Sequence, residues 1–241
     1  MRSVLLGLGL VFLTAGPAAA DLAAGADALT RGDYKQAIGE LARTKGPDAG
    51  KAKLLLVDAQ LTVGDLKGAE ATATAASKDA DAVVASNGKV ALADVLRATG
   101  RNADAQKLLE ALVAADPGHR PARRALARLL MATGKVAQAD ALWKRTIDEY
   151  DAKVLDLDKP ADLFALAEAA RARGEFELAN DAYREAVNLA PSAIEAGLAW
   201  ADLFRSKYEV EVAEQTYDEV LKVNPNPVSY THLTLPTSDL V

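Results

Sequence analysis

The sequence predicts an all-α protein, an α-α superhelical solenoid of about six helix pairs. Three observations carry this. Half of the 241 residues are hydrophobic but only 5% are aromatic, and Ala and Leu, both strong helix formers, dominate the apolar content. A glycine followed five residues later by an alanine recurs at Gly32/Ala37, Gly64/Ala69, Gly100/Ala105, Gly134/Ala139 and Gly174/Ala179. In a sixth unit Ala213 keeps its place while Tyr208 stands where glycine would be, and the six alanines are 32, 36, 34, 40 and 34 residues apart. Finally, the last two units correspond residue for residue at a spacing of 34, with Tyr183 matching Tyr217, Pro191 matching Pro225 and Leu166 matching Trp200.

Taken in order, residues 1–20 have the three parts of a secretory signal. Arg2 supplies positive charge, residues 4–13 form an apolar core too short to span a bilayer comfortably, and Ala18, Ala19 and Ala20 offer a small-residue cleavage site before Asp21. No later stretch approaches the ~20 consecutive apolar residues of a membrane helix. The expectation is an exported chain with no membrane span after cleavage, periplasmic in a Gram-negative host or otherwise extracellular.

The repeating units are placed at about 21–49, 50–85, 86–119, 120–159, 160–193 and 194–227. In each, the glycine accommodates a backbone conformation that Cβ disfavours, and the alanine lets two helices approach closely. Pro117, Pro191 and Pro225 close units three, five and six; proline cannot continue a helix, yet its fixed φ suits entry to the next one. The second unit is the weakest: Val57 stands where a small residue is usual, no proline closes it, and residues 71–81 read as a diluted helix, so a looser unit is expected. The 40-residue interval carries six extra residues around 148–159, either a longer helix or a loop, before Pro160 opens the next helix. In unit five Leu163, Leu166, Ala167 and Ala170 form one helical stripe, faced by Ala179, Tyr183, Ala186 and Val187.

Residues 174–191 (GEFELANDAYREAVNLAP), together with the 34-residue period, resemble the tetratricopeptide repeat family over roughly residues 21–227, most closely in units five and six. The resemblance implies a curved stack whose concave face, lined mainly by the first helix of each pair, takes a protein or peptide ligand. Family groove positions map here to Leu54, Asp58, Val90, Asp94, Arg97, Arg124, Arg128, Met131, Phe164, Glu168, Arg171, Leu198, Asp202 and Arg205. The Lys/Asn pattern of carboxylate-clamp members is missing: Asp58, Asp94, Arg128, Glu168 and Asp202 occupy the place of the clamp asparagine.

Past Pro227 the pattern stops. Residues 228–237 (VSYTHLTLPT) resemble one translated reading frame of a transposase-based sequencing adapter, so residues 228–241 read as a non-native tail on a truncated chain. Such a chain could continue natively into a catalytic domain, for example a metallopeptidase or a polymer-modifying domain, which makes the N-terminal part of a longer exported enzyme the rival to a non-catalytic scaffold. A homo-oligomeric structural repeat is the third reading.

The rest of the chemistry is sparse. A formal net charge of −6 argues against nucleic-acid binding, and the chain has no cysteine for disulfides, thiolate zinc sites or thiol catalysis. Neither a HExxH pair nor a GxxxxGKS/T phosphate loop is present. The run Asp156, Asp158, Asp162 lacks the glycine and glutamate of a calcium loop and reads as solvated. His119 reads as a surface turn residue, Trp143 and Trp200 as core. No catalytic, cofactor or metal residue is assigned. Arg120, Arg124 and Arg128 share one helical face; a solvated charged face is favoured over an anion-binding stripe.

Overall fold

The structure is a computed structural model that describes residues 21–207 and 209–227; the predicted signal, Tyr208 and residues 228–241 lie outside the described residues. Among the described residues there are twelve α-helices and no strand. They pair in chain order: α1 (Leu22–Thr30) with α2 (Tyr34–Arg43), α3 (Ala49–Thr62) with α4 (Leu66–Ala76), and α5 (Ala82–Ala98) with α6 (Asn102–Ala115). Then follow α7 (Arg120–Ala132) with α8 (Val136–Asp151), α9 (Pro160–Ala172) with α10 (Phe176–Leu189), and α11 (Ile194–Arg205) with α12 (Val210–Val223). Each pair packs on the next, which makes the stack an all-α solenoid.

The periodic residues do what their spacing predicts. Gly32, Gly64, Gly100, Gly134 and Gly174 all have φ between 75° and 79°, the left-handed conformation that favours glycine. Each closes a Schellman turn. The residue after the glycine donates its N–H back across the turn: Asp33 to Ala28, Asp65 to Gln60, Arg101 to Leu96, Lys135 to Leu130 and Glu175 to Ala170, all at 2.8–2.9 Å. In the sixth pair Glu209 donates to Phe204 in the same way at 3.1 Å. The alanine five positions after the glycine is 0% exposed in the first five pairs and 2% exposed at Ala213.

Three expectations are corrected. The second unit is not loose: Ala69, Ala73 and Ala76 of α4 are fully buried, and their small size lets α5 lie directly against α4. Helix α5 also starts four residues before the predicted unit boundary at 86, because the Asp81 side chain caps it by accepting from the Val83 and Val84 amides. The acidic run after unit four is not simply solvated. The extra residues divide between a longer α8 and a turn that tucks Leu155 into the core, and Asp162 is buried, accepting from Arg120 at 3.0 Å and from the Asp156 amide at 3.1 Å. His119 is half-buried and caps α7, its Nδ1 accepting from the Ala122 amide at 3.1 Å.

Curvature brings distant units together. Tyr34, in the first pair, donates its hydroxyl to the Asn226 carbonyl at 2.8 Å and accepts from Asn224 Nδ2 at 3.3 Å. Asn224 is 3% exposed and packs so closely over Gly32 that a Cβ there would lie 2.2 Å from its Oδ1. The six described pairs therefore curve about a central lumen, the first touching the last.

Candidate functional site

Side chains of α1, α3, α9 and α11 line this lumen. Successive turns of α7 place Arg124 and Arg128 there. Glu168 of α9 and Glu195 of α11 come to meet them: Arg128 Nη1 lies 2.9 Å from Glu195 and 3.8 Å from Glu168, and Arg124 lies 3.5 Å from Glu168 and 3.8 Å from Glu195. The Arg124 guanidinium also covers the Phe164 ring at 4.7 Å. Arg120 leaves the lumen altogether and pairs with Glu149 and Asp162. Carboxylates therefore pair with all three arginines of the row, so it is not an open anion site, while Arg128 and Glu195 keep about half of their surface in solvent.

Enclosure shapes the titration of these groups. Burial pushes the Glu168 carboxyl above its usual range although Arg124 and Arg128 pull it down. Burial opposes the charge on Arg128, but Glu168 and Glu195 more than offset this and hold its pKa above the ordinary arginine value. Asp94 is raised by burial against the pull of Arg97. Asp58 is pushed up to about 7, first by desolvation and then by the like charges of Asp94 and Glu195. Asp58 still touches solvent, so its environment is a wet recess enclosed by protein rather than a dry core.

This has a stability consequence. The folded state holds the Asp58 proton more tightly than the unfolded chain, whose value is near 3.8. The contribution of this group therefore favours folding at low pH and declines as pH rises towards about 7. With the shift discounted for solvent screening, Asp58→Asn should stabilise the fold by about 1 kcal/mol at pH 8. Thermal melts should show the variant's gain of roughly 2–4 °C shrinking to nothing near pH 4; a gain independent of pH would contradict the assignment.

The sequence-predicted groove residues do not share one surface. Arg128, Met131, Glu168 and Arg171 line one hollow of about 540 Å³ with Trp143 and Tyr183. Met131 is 40% exposed, whereas the Tyr183 hydroxyl and the Trp143 indole N–H are buried without a hydrogen bond of normal geometry among the described residues. The Tyr183 phenol is pushed up by burial and then by the Glu168 charge, with Arg171 nearby pulling it down. Phe164 and Leu198 line a second hollow of about 550 Å³. Asp58 lines the second hollow as well, and Arg97, Asp202 and Arg205 are taken up locally: Arg97 lies 3.7 Å from Asp94, and Asp202 accepts from the Tyr217 hydroxyl at 2.6 Å and pairs with Arg205 at 3.2 Å. Sequence reasoning missed Glu195, because its contact with Arg128 spans 67 residues and depends on the accumulated curvature. Of the two tryptophans, Trp143 is buried and Trp200 is half-buried, donating to Asn180 at 2.9 Å. Among the described residues no cluster of three or more His, Asp or Glu is arranged to hold a metal ion, and no helix is long and apolar enough to cross a membrane.

Residues 96–155 match the family model described as tetratricopeptide repeat. Among solved structures, the chain is similar to a thermophilic tetratricopeptide-repeat protein of Thermus thermophilus, at 20% identity and a TM-score of 0.52, over 76% of this chain and 96% of that one. A tetratricopeptide repeat protein of Parabacteroides merdae aligns at 15% identity and a TM-score of 0.45, over 83% of this chain and 77% of that one. MamA of Desulfovibrio magneticus aligns at 14% identity and a TM-score of 0.40, over 75% and 97%. No curated protein matches the chain in sequence. Residues 96–155 thus match a tetratricopeptide repeat, and the turn glycines, the buried alanines and the fold shared with the Thermus protein make the described chain an all-α helical-repeat solenoid.

Proposed function

We propose that the chain is an exported, non-catalytic scaffold that binds a protein or extended peptide on the concave face of its solenoid. The observation that carries this is the hollow between units four and five, which exposed Met131 lines together with Arg128, Glu168 and Arg171. An apolar side chain among charged groups of both signs suits an extended peptide with one apolar anchor and polar flanks. The titratable groups of the lumen supports the same reading, since Arg124, Arg128, Glu168 and Glu195 pair with one another instead of setting a nucleophile against a base. Export rests on the signal pattern of residues 1–20.

The test is capture of envelope proteins by the chain, with quantitative mass spectrometry. The double variant Met131→Glu/Arg171→Glu should lose the specific partner at least tenfold, while Glu185→Lys, exposed on α10, should retain it. The same capture profile for all three proteins would overturn the proposal.

A further inference from the structure

The second hollow has a different chemistry. It holds about 550 Å³ where units one, two, five and six face one another across the lumen. Leu29, Phe164, Ile194 and Leu198 supply apolar walls, and Asp58 and Glu195 supply charge. The two carboxylates differ: Glu195 is paired with Arg128 at 2.9 Å, whereas the Asp58 carboxylate has no hydrogen-bond or ion-pair partner among the described residues. The charges that Asp58 feels most, Asp94 and Glu195, are both negative. Such an arrangement costs stability, and a positive charge placed there would relieve it.

Tyr34, Asn224 and Pro227 line the same hollow, where the first and last described pairs touch, so the space is a half-open chamber. Its volume falls in the ordinary range for small-molecule pockets, roughly 300–1,000 Å³, which are mostly apolar with a few placed polar groups. We propose that this chamber binds a small organic cation, an ammonium or guanidinium group carried on an apolar body, with the charge paired to Asp58 and the body against Phe164, Leu198 and Ile194. This site is separate from the peptide hollow of units four and five, and neither proposal requires the other.

The experiment is isothermal titration calorimetry on the chain with three probes of one shape: 4-phenylbutylammonium, 4-phenylbutan-1-ol and 4-phenylbutanoate. The cation should bind at one saturable site, the alcohol at least tenfold more weakly, and the anion not measurably. Asp58→Asn should weaken the cation about tenfold and leave the alcohol unchanged. Ile194→Ser should weaken cation and alcohol alike, which separates the apolar wall from the charge. Circular dichroism of each variant should match the parent. Equal binding of the three probes, no binding of the cation, or an unchanged cation affinity in Asp58→Asn would each overturn the assignment.

Discussion

Replacing Glu149 by Ala is expected to cost about 3–5 kcal/mol of stability, because it strands a buried cation. Arg123 of α7 is 2% exposed, and its guanidinium meets Glu149 of α8 in a fork, Nη1 at 2.8 Å and Nη2 at 2.6 Å. The Pro117 carbonyl takes a further bond from Nη1 at 3.1 Å, while Nε has no partner among the described residues. Arg120 and Arg145 approach the same carboxylate at 3.2 and 3.4 Å. With Glu149 gone, Arg120 keeps Asp162 and Arg145 keeps solvent, but Arg123 has no carboxylate to turn to. Burial alone would raise the Glu149 carboxyl; the Arg123 and Arg120 hydrogen bonds and charges outweigh it and hold the group below its usual value. The resulting stability is present above the unfolded value near 4.5 and is lost as pH falls through the lower folded value. Urea melts should therefore show a large loss in Glu149→Ala at pH 7 that narrows in acid. The double change Arg123→Met/Glu149→Leu removes both charges and should recover most of the loss. A single variant within about 1 kcal/mol of the parent would show that the fork contributes little.

What could be read from the chain alone, and what could not, divides by range. Glycine at the turn and alanine five residues on are local requirements, imposed in every unit by the same left-handed φ and the same close helix approach, so their period was visible. The pairing of Arg120 with Asp162, of Arg128 with Glu195, and of Tyr34 with Asn226 was not visible. Each depends on the small rotation between successive pairs, which no single residue encodes and which accumulates over 42, 67 and 192 positions. The candidate groove suffered in the same way. Its residues were assigned to the concave face by register; Arg97, Asp202 and Arg205 are occupied within their own pairs, whereas Asp58, assigned by the same register, is a carboxylate without an ion-pair partner among the described residues. Composition misled in one place: the alanine-rich α4 read as diluted, although in a repeat stack a small side chain can tighten an interface.

That interface gives the second large expectation. Gly88 lies in the middle of α5, where glycine normally costs a helix about 1 kcal/mol relative to alanine. By propensity alone Gly88→Ala should stabilise. Geometry reverses the sign, since a Cβ on Gly88 would stand 2.4 Å from the Ala76 carbonyl carbon, 2.5 Å from the Ser77 nitrogen and 2.8 Å from the Ala76 oxygen. These are backbone atoms at the end of α4 and cannot rotate away, so the two helices must separate. Separation would uncover Ala73 and Ala76, both fully buried, and loosen the stack at its second pair. Overpacking of this kind costs typically 1–3 kcal/mol, so Gly88→Ala should lose about 2 kcal/mol, and Gly88→Val more. Gly39 in α2 is the control: nothing lies within 4 Å of its Cβ position, so Gly39→Ala should gain about 0.5–1 kcal/mol from propensity alone. Opposite signs for two Gly→Ala changes in helix interiors, read by chemical denaturation, would place the constraint in the contact between α4 and α5. If Gly88→Ala were as stabilising as Gly39→Ala, α5 would not lie this close to α4.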